Sequence, residues 1–269
     1  MFTDVHCHPF DLSQFFPQFE QKRRQLKVLA AASSCSVEEF THNETIARNA
    51  QLDGFTPLLP YFGIHPQQLE VRNEKLEIGN ENLLEIIDML AKEKRIAAIG
   101  ECGFDLYNDN FKKTEKMQES FFSAQIEIAL KHDLPVVLHV RRAMHKIFAA
   151  AKDLSKCRAV VFHSWSGTLE EGQSLLRRGV NAFFSFGNTI KLNHKQAKRS
   201  CAFLAADRLL TETDAPYQPR LGQAFSLWAD IPLIIEATCA LRYEAGNNIS
   251  AKELENTIEN NFKKIFYYN

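Results

Sequence analysis

No stretch of this sequence approaches the run of about 18 apolar residues that a membrane helix requires. The chain also does not open on a basic segment followed by an apolar one. A soluble protein is the expectation. None of the six cysteines (Cys7, Cys35, Cys102, Cys157, Cys201, Cys239) forms a Cys-x-x-Cys pair. That argues against a thiolate zinc ribbon and favours free thiols in a reducing, cytoplasmic setting over a disulfide framework. Charge of neither sign is in excess, the formal net charge being −1. No global basic field draws nucleic acid, so any such contact has to be local. There is no linker, internal repeat or low-complexity segment. No glycine-rich phosphate fingerprint follows the first apolar run, which counts against a dinucleotide-binding sheet.

What is present is an ordinary globular composition, 45% hydrophobic and 24% charged over 269 residues, with 21 Phe to fill a core. Eight short apolar runs read as strands: Met1 to Val5, Leu26 to Ala32, Thr56 to Ile64, Arg95 to Glu101, Leu134 to His139, Arg158 to His163, Val180 to Phe186 and Asp207 to Asp214. Helical segments alternate with them. Gln14 to Gln25 has room for a short helix, and Ser36 to Glu39 is a capping box opening a helix to about Ala50. Others span Glu81 to Glu93, Ala143 to Lys152 and Asn193 to Leu204. The clearest carries Met117, Phe121, Ala124 and Ile128 on one face. A second capping box at Thr168 opens a helix that stops at Gly179, and helices from about Leu227 and Ser250 close the chain. A long loop is expected from Cys102 to Phe111. Strands alternating with helices, apolar on both faces, predict βαβ units and a parallel sheet. Eight of them predict a single α/β domain over residues 1–269, a (β/α)8 TIM barrel with its site at the C-terminal ends of the strands.

The candidate chemistry sits at those strand ends. Residues two apart on a strand share a face, so His6 and His8 project together before Pro9 stops the ladder. Two neutral imidazoles on one face suit a divalent metal, although a lone His-x-His is as readily a pair of buried polar residues. The later strands decide it: one ends in Glu101, the next in His139, then His163, and the eighth in Asp214. Four imidazoles and two carboxylates on one rim exceed the needs of one ion and suit two ions sharing a carboxylate. Glu101 is the natural bridge.

These blocks, taken in order, resemble the TatD-like metal-dependent deoxyribonucleases, a branch of the amidohydrolase-type TIM barrels. Asp4-Val-His-Cys-His8, Gly63-Ile-His-Pro66 and Ala98-Ile-Gly-Glu-Cys-Gly-Phe-Asp105 carry the resemblance. So do Leu134-Pro-Val-Val-Leu-His-Val-Arg141, Phe162-His-Ser-Trp-Ser-Gly167 and Thr211-Glu-Thr-Asp-Ala-Pro-Tyr217. It implies that His6, His8, Glu101 and Asp214 hold one metal, and that Glu101, His139 and His163 hold the second. Glu101 takes the place where many relatives in the wider superfamily use a carboxylated lysine. The resemblance also places His65 and Arg141 near the substrate. Trp165 and Phe104 are mild departures. Pro219 to Trp228 is a larger one, because family members often carry an Arg/Lys-Asn-Pro stretch there.

The expected chemistry is hydrolysis by a water activated between two divalent ions (Zn, Mn or Mg), with Asp214 as general base or as a ligand only, and Glu101 as the bridge. His65 and Arg141 would bind phosphate oxygens. His65 reads equally as a satisfied strand-end histidine, and Arg142 as an alternative to Arg141 or the solvated start of the next helix. His42, His132, His145 and His194 are expected in helices away from the rim, and Cys7 and Cys102 in the core. Trp165 is expected either to stack on a base or to pack over the barrel mouth. The function carried forward is a TatD-type DNase, a 3′–5′ exonuclease acting on single-stranded DNA or 3′ ends, with no obligate protein partner. Hydrolysis of a small amide, lactone or phosphoester is the alternative, since a fold does not choose its substrate. A non-catalytic metal-binding scaffold is a third reading, against which the full ligand set argues.

Overall fold

Each of the eight apolar runs forms a strand, and all pair in parallel. The computed structural model describes residues 1–55, 57–70, 75–192 and 194–267. The strands are β1 (Thr3–Cys7), β2 (Leu29–Ala32), β3 (Leu58–Pro60), β4 (Ile99–Asp105), β5 (Val136–Arg141), β6 (Val160–Phe162), β7 (Ala182–Phe186) and β8 (Leu209–Thr211). They run in chain order as β1-β2-β3 and β4-β5-β6-β7-β8. Two seams close the ring. Between β3 and β4, Phe62 bridges Ile99 and the Gly100 amide donates to the Phe62 carbonyl at 3.1 Å. Between β8 and β1, the Thr211 hydroxyl donates to the Thr3 carbonyl at 2.7 Å and the Asp214 amide to the His6 carbonyl at 2.9 Å. The fold is a parallel (β/α)8 barrel.

Glycine makes the first seam possible. A Cβ on Gly63 would sit 2.5 Å from the carbonyl carbon of Gly100, so the two chain segments approach closer than any other residue permits. Nearly every strand sends a side chain inward to one cluster: Val5, Leu29, Ala31, Tyr61, Ala98, Val137, Val161, Phe183 and Leu210. Phe262, Ile265 and Phe266 of the last helix (Ala251–Phe266) join that cluster and seal the end of the barrel away from the site.

Several boundaries differ from expectation. The predicted loop from Cys102 is a strand as far as Asp105, because Cys102 and Phe104 have apolar cover and β4 stays paired with β5 up to Asp105–Arg141. Thr56, the expected start of the third strand, and Asn193, the expected start of a late helix, lie outside the described residues. Gln14 to Gln25 spans parts of two helices, Pro9–Phe15 and Phe19–Leu26, and Ala143 to Lys152 divides into Met144–Ala149 and Ala151–Leu154. Helix Glu115–His132 buries Gln118, Phe121, Phe122, Gln125, Ile126 and Ala129, one step round from the expected stripe. The reason is polar. Gln118 accepts from the Asp105 amide at 2.9 Å and Gln125 from the Ile64 amide at 2.7 Å, so two buried amides hold the strand ends that carry the site. The capping box expected at Thr168 forms, and Ser250 carries one as well; Ser36 caps Val37–Leu52 by accepting from the Glu39 amide, but the Glu39 carboxylate accepts from the Cys35 amide instead of closing the expected box. Among the described residues no helix is long and apolar enough to cross a membrane.

Two strands break the two-residue alternation where it matters. The register of β1 slips against β2 between Asp4 and Cys7, and that of β4 slips against β5 between Gly100 and Cys102. Val5 packs in the barrel interior, yet the adjacent His6 also faces the site. Ala98 is interior, and so is Glu101, three residues on. An extra residue in each strand re-aims these two side chains. On β5 and β6 plain alternation suffices, Val137 leading to His139 and Val161 to His163, and from β8 Leu210 leads to Glu212; Asp214, past the strand's end, turns on a left-handed backbone (φ 52°).

Candidate metal centre

A cavity of about 740 Å³ opens at the C-terminal ends of the strands, and Glu101 lies at its floor. Glu101 Oε1 is 2.8 Å from His139 Nδ1, 2.9 Å from His163 Nε2 and 3.3 Å from His65 Nε2. Its Oε2 is 3.4 Å from His6 Nε2. Asp214 Oδ1 is 3.4 Å from His6 Nε2 and 3.3 Å from His8 Nε2, and those two nitrogens lie 3.0 Å apart. All six rim residues named from the sequence therefore converge. Their potential ligand atoms fall into compact groups within 4.8 Å: His6 with His8 and Asp214, His6 with Glu101 and His163, and His65 with Glu101 and His139.

The ring nitrogens facing away from the centre mostly have partners as well. His139 Nε2 lies 3.0 Å from Asp105 Oδ2, which also accepts from Gln67 Nε2 at 2.8 Å. Tyr61 Oη is 2.5 Å from His6 Nδ1, and Glu212 Oε1 stands 3.5 Å from His163 Nδ1. An imidazole that gives its outer proton to a carboxylate presents a lone pair inward, in a fixed tautomer, as a metal ligand needs. His65 is wired in the opposite sense. Its Nδ1 accepts from the Gln67 amide at 3.1 Å, so a neutral ring carries its proton on Nε2, aimed at the cavity. It is built to donate rather than to ligate.

Electrostatics points the same way. Burial alone would raise the Glu101 carboxyl, but the imidazoles of His163, His65, His6 and His139 hold it well below the usual range. Asp214 is likewise buried and is held low by His6 and His8. Burial lowers His6 and His65. His8, His139 and His163 are raised in spite of burial, by Asp214, by Asp105 with Glu101, and by Glu101 with Glu212 respectively. Ionised carboxylates buried among imidazoles call for positive charge, which a divalent cation supplies in exchange for protons. The donor set of imidazole nitrogens and carboxylate oxygens fits such an ion.

Arg141 reaches the rim of the cavity, exposed, with its guanidinium 3.7 Å from the centre of the Tyr107 ring. Trp165 is a packing residue, edge-on to Phe162 and Phe184 and 3% exposed. His42, His132 and His145 lie away from the site, but the expectation for His194 is corrected: it lines the cavity together with Thr189. The residue precedes the helix (Lys195–Phe203) rather than lying within it, so it stays on the rim. Cys7 and Cys102 are fully buried in apolar clusters. Sequence reasoning missed Asp105, Glu212, Tyr61, Gln67 and Gln218, the last donating to Asp214 Oδ2 at 2.6 Å. Glu212 was within reach, being two residues after the inward-facing Leu210 of β8. The others depend on packing between elements that no spacing rule gives.

Residues 3–267 match the family described as TatD related DNase. The chain is 29% identical over 264 residues to an uncharacterized metal-dependent hydrolase, YjjV, of Escherichia coli K12, covering 95% of this chain and 96% of that protein. It is 33% identical over 185 residues to a protein named 3′-5′ ssDNA/RNA exonuclease TatD from Pantoea vagans, covering 66% of this chain and 68% of that one. The crystal structure of the Escherichia coli YjjV protein superposes with a TM-score of 0.83 at 27% identity, over 100% of this chain and 98% of its own. An uncharacterized amidohydrolase from Saccharomyces cerevisiae shares the fold, with a TM-score of 0.79 at 17% identity, over 98% of this chain and 99% of its own.

Proposed function

This chain belongs to the TatD related DNase family, and on that premise we propose that it hydrolyses phosphodiester bonds of DNA from the 3′ end, as one domain, with two divalent ions. The observation that carries the reading is Glu101. Oε1 faces His139 and His163 and Oε2 faces His6, so the carboxylate would serve both groups of proposed ligands. His6, His8, Glu101 and Asp214 would hold one ion, and Glu101, His139 and His163 the other. Imidazole-rich sites suit Zn²⁺ or Mn²⁺ better than Mg²⁺. Bound there, such ions would acidify a water and neutralise charge on the phosphodiester oxygens.

The chain's own groups divide the remaining work. Asp214 Oδ1 lies between His6 and His8 while Gln218 fixes Oδ2, so the carboxylate is held in one orientation to accept a proton from the attacking water. His65 Nε2–H donates to a non-bridging phosphate oxygen, and the planar fork of Arg141 grips the phosphate from the rim. The six cysteines are free thiols, which supports a reducing, cytoplasmic setting.

The test is metal-reloaded protein with 5′-labelled single-stranded DNA in Zn²⁺, Mn²⁺ and Mg²⁺ separately, with Asp214→Asn as control. A ladder shortening from the 3′ end is expected, with kcat about 10²–10⁴ lower in Asp214→Asn. Retention of both ions by the variant assigns Asp214 as base, and loss of an ion assigns it as ligand only. No cleavage in any metal by protein holding two ions refutes the nuclease reading and favours a small-molecule hydrolase.

A further inference from the structure

The proposed reaction places one phosphate in the cavity, but the cationic surface continues beyond it. At the exit of β5 two consecutive arginines converge on one ring. The guanidinium of Arg141 lies 3.7 Å and that of Arg142 4.5 Å from the centre of Tyr107, which is 43% exposed. Arg142 also donates to the Tyr107 carbonyl at 3.4 Å. Among the described residues neither forms an ion pair with a carboxylate. Arg24, Arg95, Arg199 and Arg220, by contrast, each do. Two like charges held side by side without a counter-ion repel each other, and a ring quadrupole offsets that only in part. An anion held by both guanidinium groups would relieve that repulsion.

The pair is also held in place. Arg142 has a left-handed backbone (φ 55°), uncommon for a residue with a side chain and a mark of surroundings that dictate the conformation. The Leu106 amide donates to the Arg141 carbonyl at 2.9 Å. Asp105 ties the platform to the centre: Oδ1 accepts from the Tyr107 amide at 2.9 Å, while Oδ2 faces His139 Nε2 at 3.0 Å. One carboxylate thus orients a candidate ligand and anchors the arginine platform.

We propose that Tyr107 and Arg142, with Arg141 at the cavity edge, form a second phosphate site for the phosphate immediately 5′ of the scissile one. The inference rests on the nuclease reading and deepens it. An enzyme that removes 3′-terminal nucleotides leaves the rest of the strand on the 5′ side, so the next phosphate arrives from there. The substrate class it selects is an oligonucleotide, or any nucleotide carrying a further 5′ phosphate, over a substrate with a single phosphodiester. With a net charge of −1 over the whole chain, this local pair would supply the attraction that the global field does not.

The experiment compares the metal-loaded protein on TpT, which has one phosphate, and on pTpT, which has two, alongside 5′-labelled single-stranded DNA. Wild type should favour pTpT by about tenfold in kcat/KM, the size of one charge-assisted contact. Arg142→Ala should erase that preference through KM while leaving TpT hydrolysis unchanged, Arg142→Lys should keep part of it, and Tyr107→Phe, which retains the ring, should keep it all. On the labelled strand, the slope of log kcat/KM against log salt should become shallower by about 0.7 in Arg142→Ala. Equal losses on TpT and pTpT would mean a merely structural role and overturn the proposal. Cleavage by wild type with no preference for pTpT overturns the second site alone. No cleavage of any of the three substrates refutes the nuclease reading and this site with it.

Discussion

Replacing Asp105 by Asn keeps the volume and removes only the symmetry of its acceptors. In the native protein three donors converge on the carboxylate: His139 Nε2 at 3.0 Å, Gln67 Nε2 at 2.8 Å and the Tyr107 amide at 2.9 Å. Burial would raise this carboxyl, but those hydrogen bonds hold it at about 2, so it is ionised at neutral pH. An amide has one acceptor end. Turned with its oxygen to Tyr107, it sets its NH2 against His139, and the imidazole must then carry its proton on Nδ1, 2.8 Å from Glu101 Oε1. That is the atom proposed to face the cation. Turned the other way, it sets two donors against each other at Tyr107. Loss of an outer partner of this kind weakens metal binding about 10- to 100-fold, or about 1.4–2.7 kcal/mol. The buried donor left unmatched costs about 1–3 kcal/mol of stability, a fall of several degrees in Tm at about 2–4 °C per kcal/mol. The assay is equilibrium dialysis against graded metal buffers with elemental analysis, beside a thermal melt. One ion per chain should remain at native affinity and the other should weaken. Both ions bound as tightly as in wild type, with or without a lower Tm, would refute the orienting role of Asp105.

Further predictions concern the frame around the site. Gly63→Ala would place a methyl 2.5 Å from backbone at Gly100, the residue before Glu101. It should cost about 1–3 kcal/mol or more and lower activity with it, and an unchanged Tm would refute the close seam between β3 and β4. Glu44 offers a pH test. Both its oxygens meet Arg95, at 2.7 and 2.8 Å, and that contact holds its carboxyl below the ordinary 4.5. Because the folded value is the lower one, the stabilisation is full above about pH 4.5 and is lost as pH falls below it. Glu44→Gln should therefore cost about 0.5–1 kcal/mol at pH 7 and less at pH 3 in denaturant titrations. An equal cost at both pH values would refute the assignment.

The sequence by itself determined the number of strands, their order along the chain, the barrel they close, and the six side chains that meet at its rim. Strand alternation and the apolar runs are local properties, and a parallel barrel leaves the chain one end at which strand-terminal residues collect. Even so, alternation aimed only some of them. On β5 and β6 it carries His139 and His163 to the interior unaided, whereas Asp214 turns on a left-handed backbone beyond the end of β8. On β1 and β4 it fails, because each strand gains a residue against its neighbour, and only that slip turns His6 and Glu101 inward beside Val5 and Ala98. A register slip is decided by pairing between strands, which no single segment encodes. The tertiary structure alone also decided the outer partners. Asp105 was legible as a motif residue, but its role exists only because β4 continues past Glu101 and stays paired with β5. That pairing brings its carboxylate to His139 and the Tyr107 ring to Arg141 and Arg142. Hydrogen-bond partners and stacked cations are set by distances between elements remote in sequence, and those distances come into being only when the barrel closes.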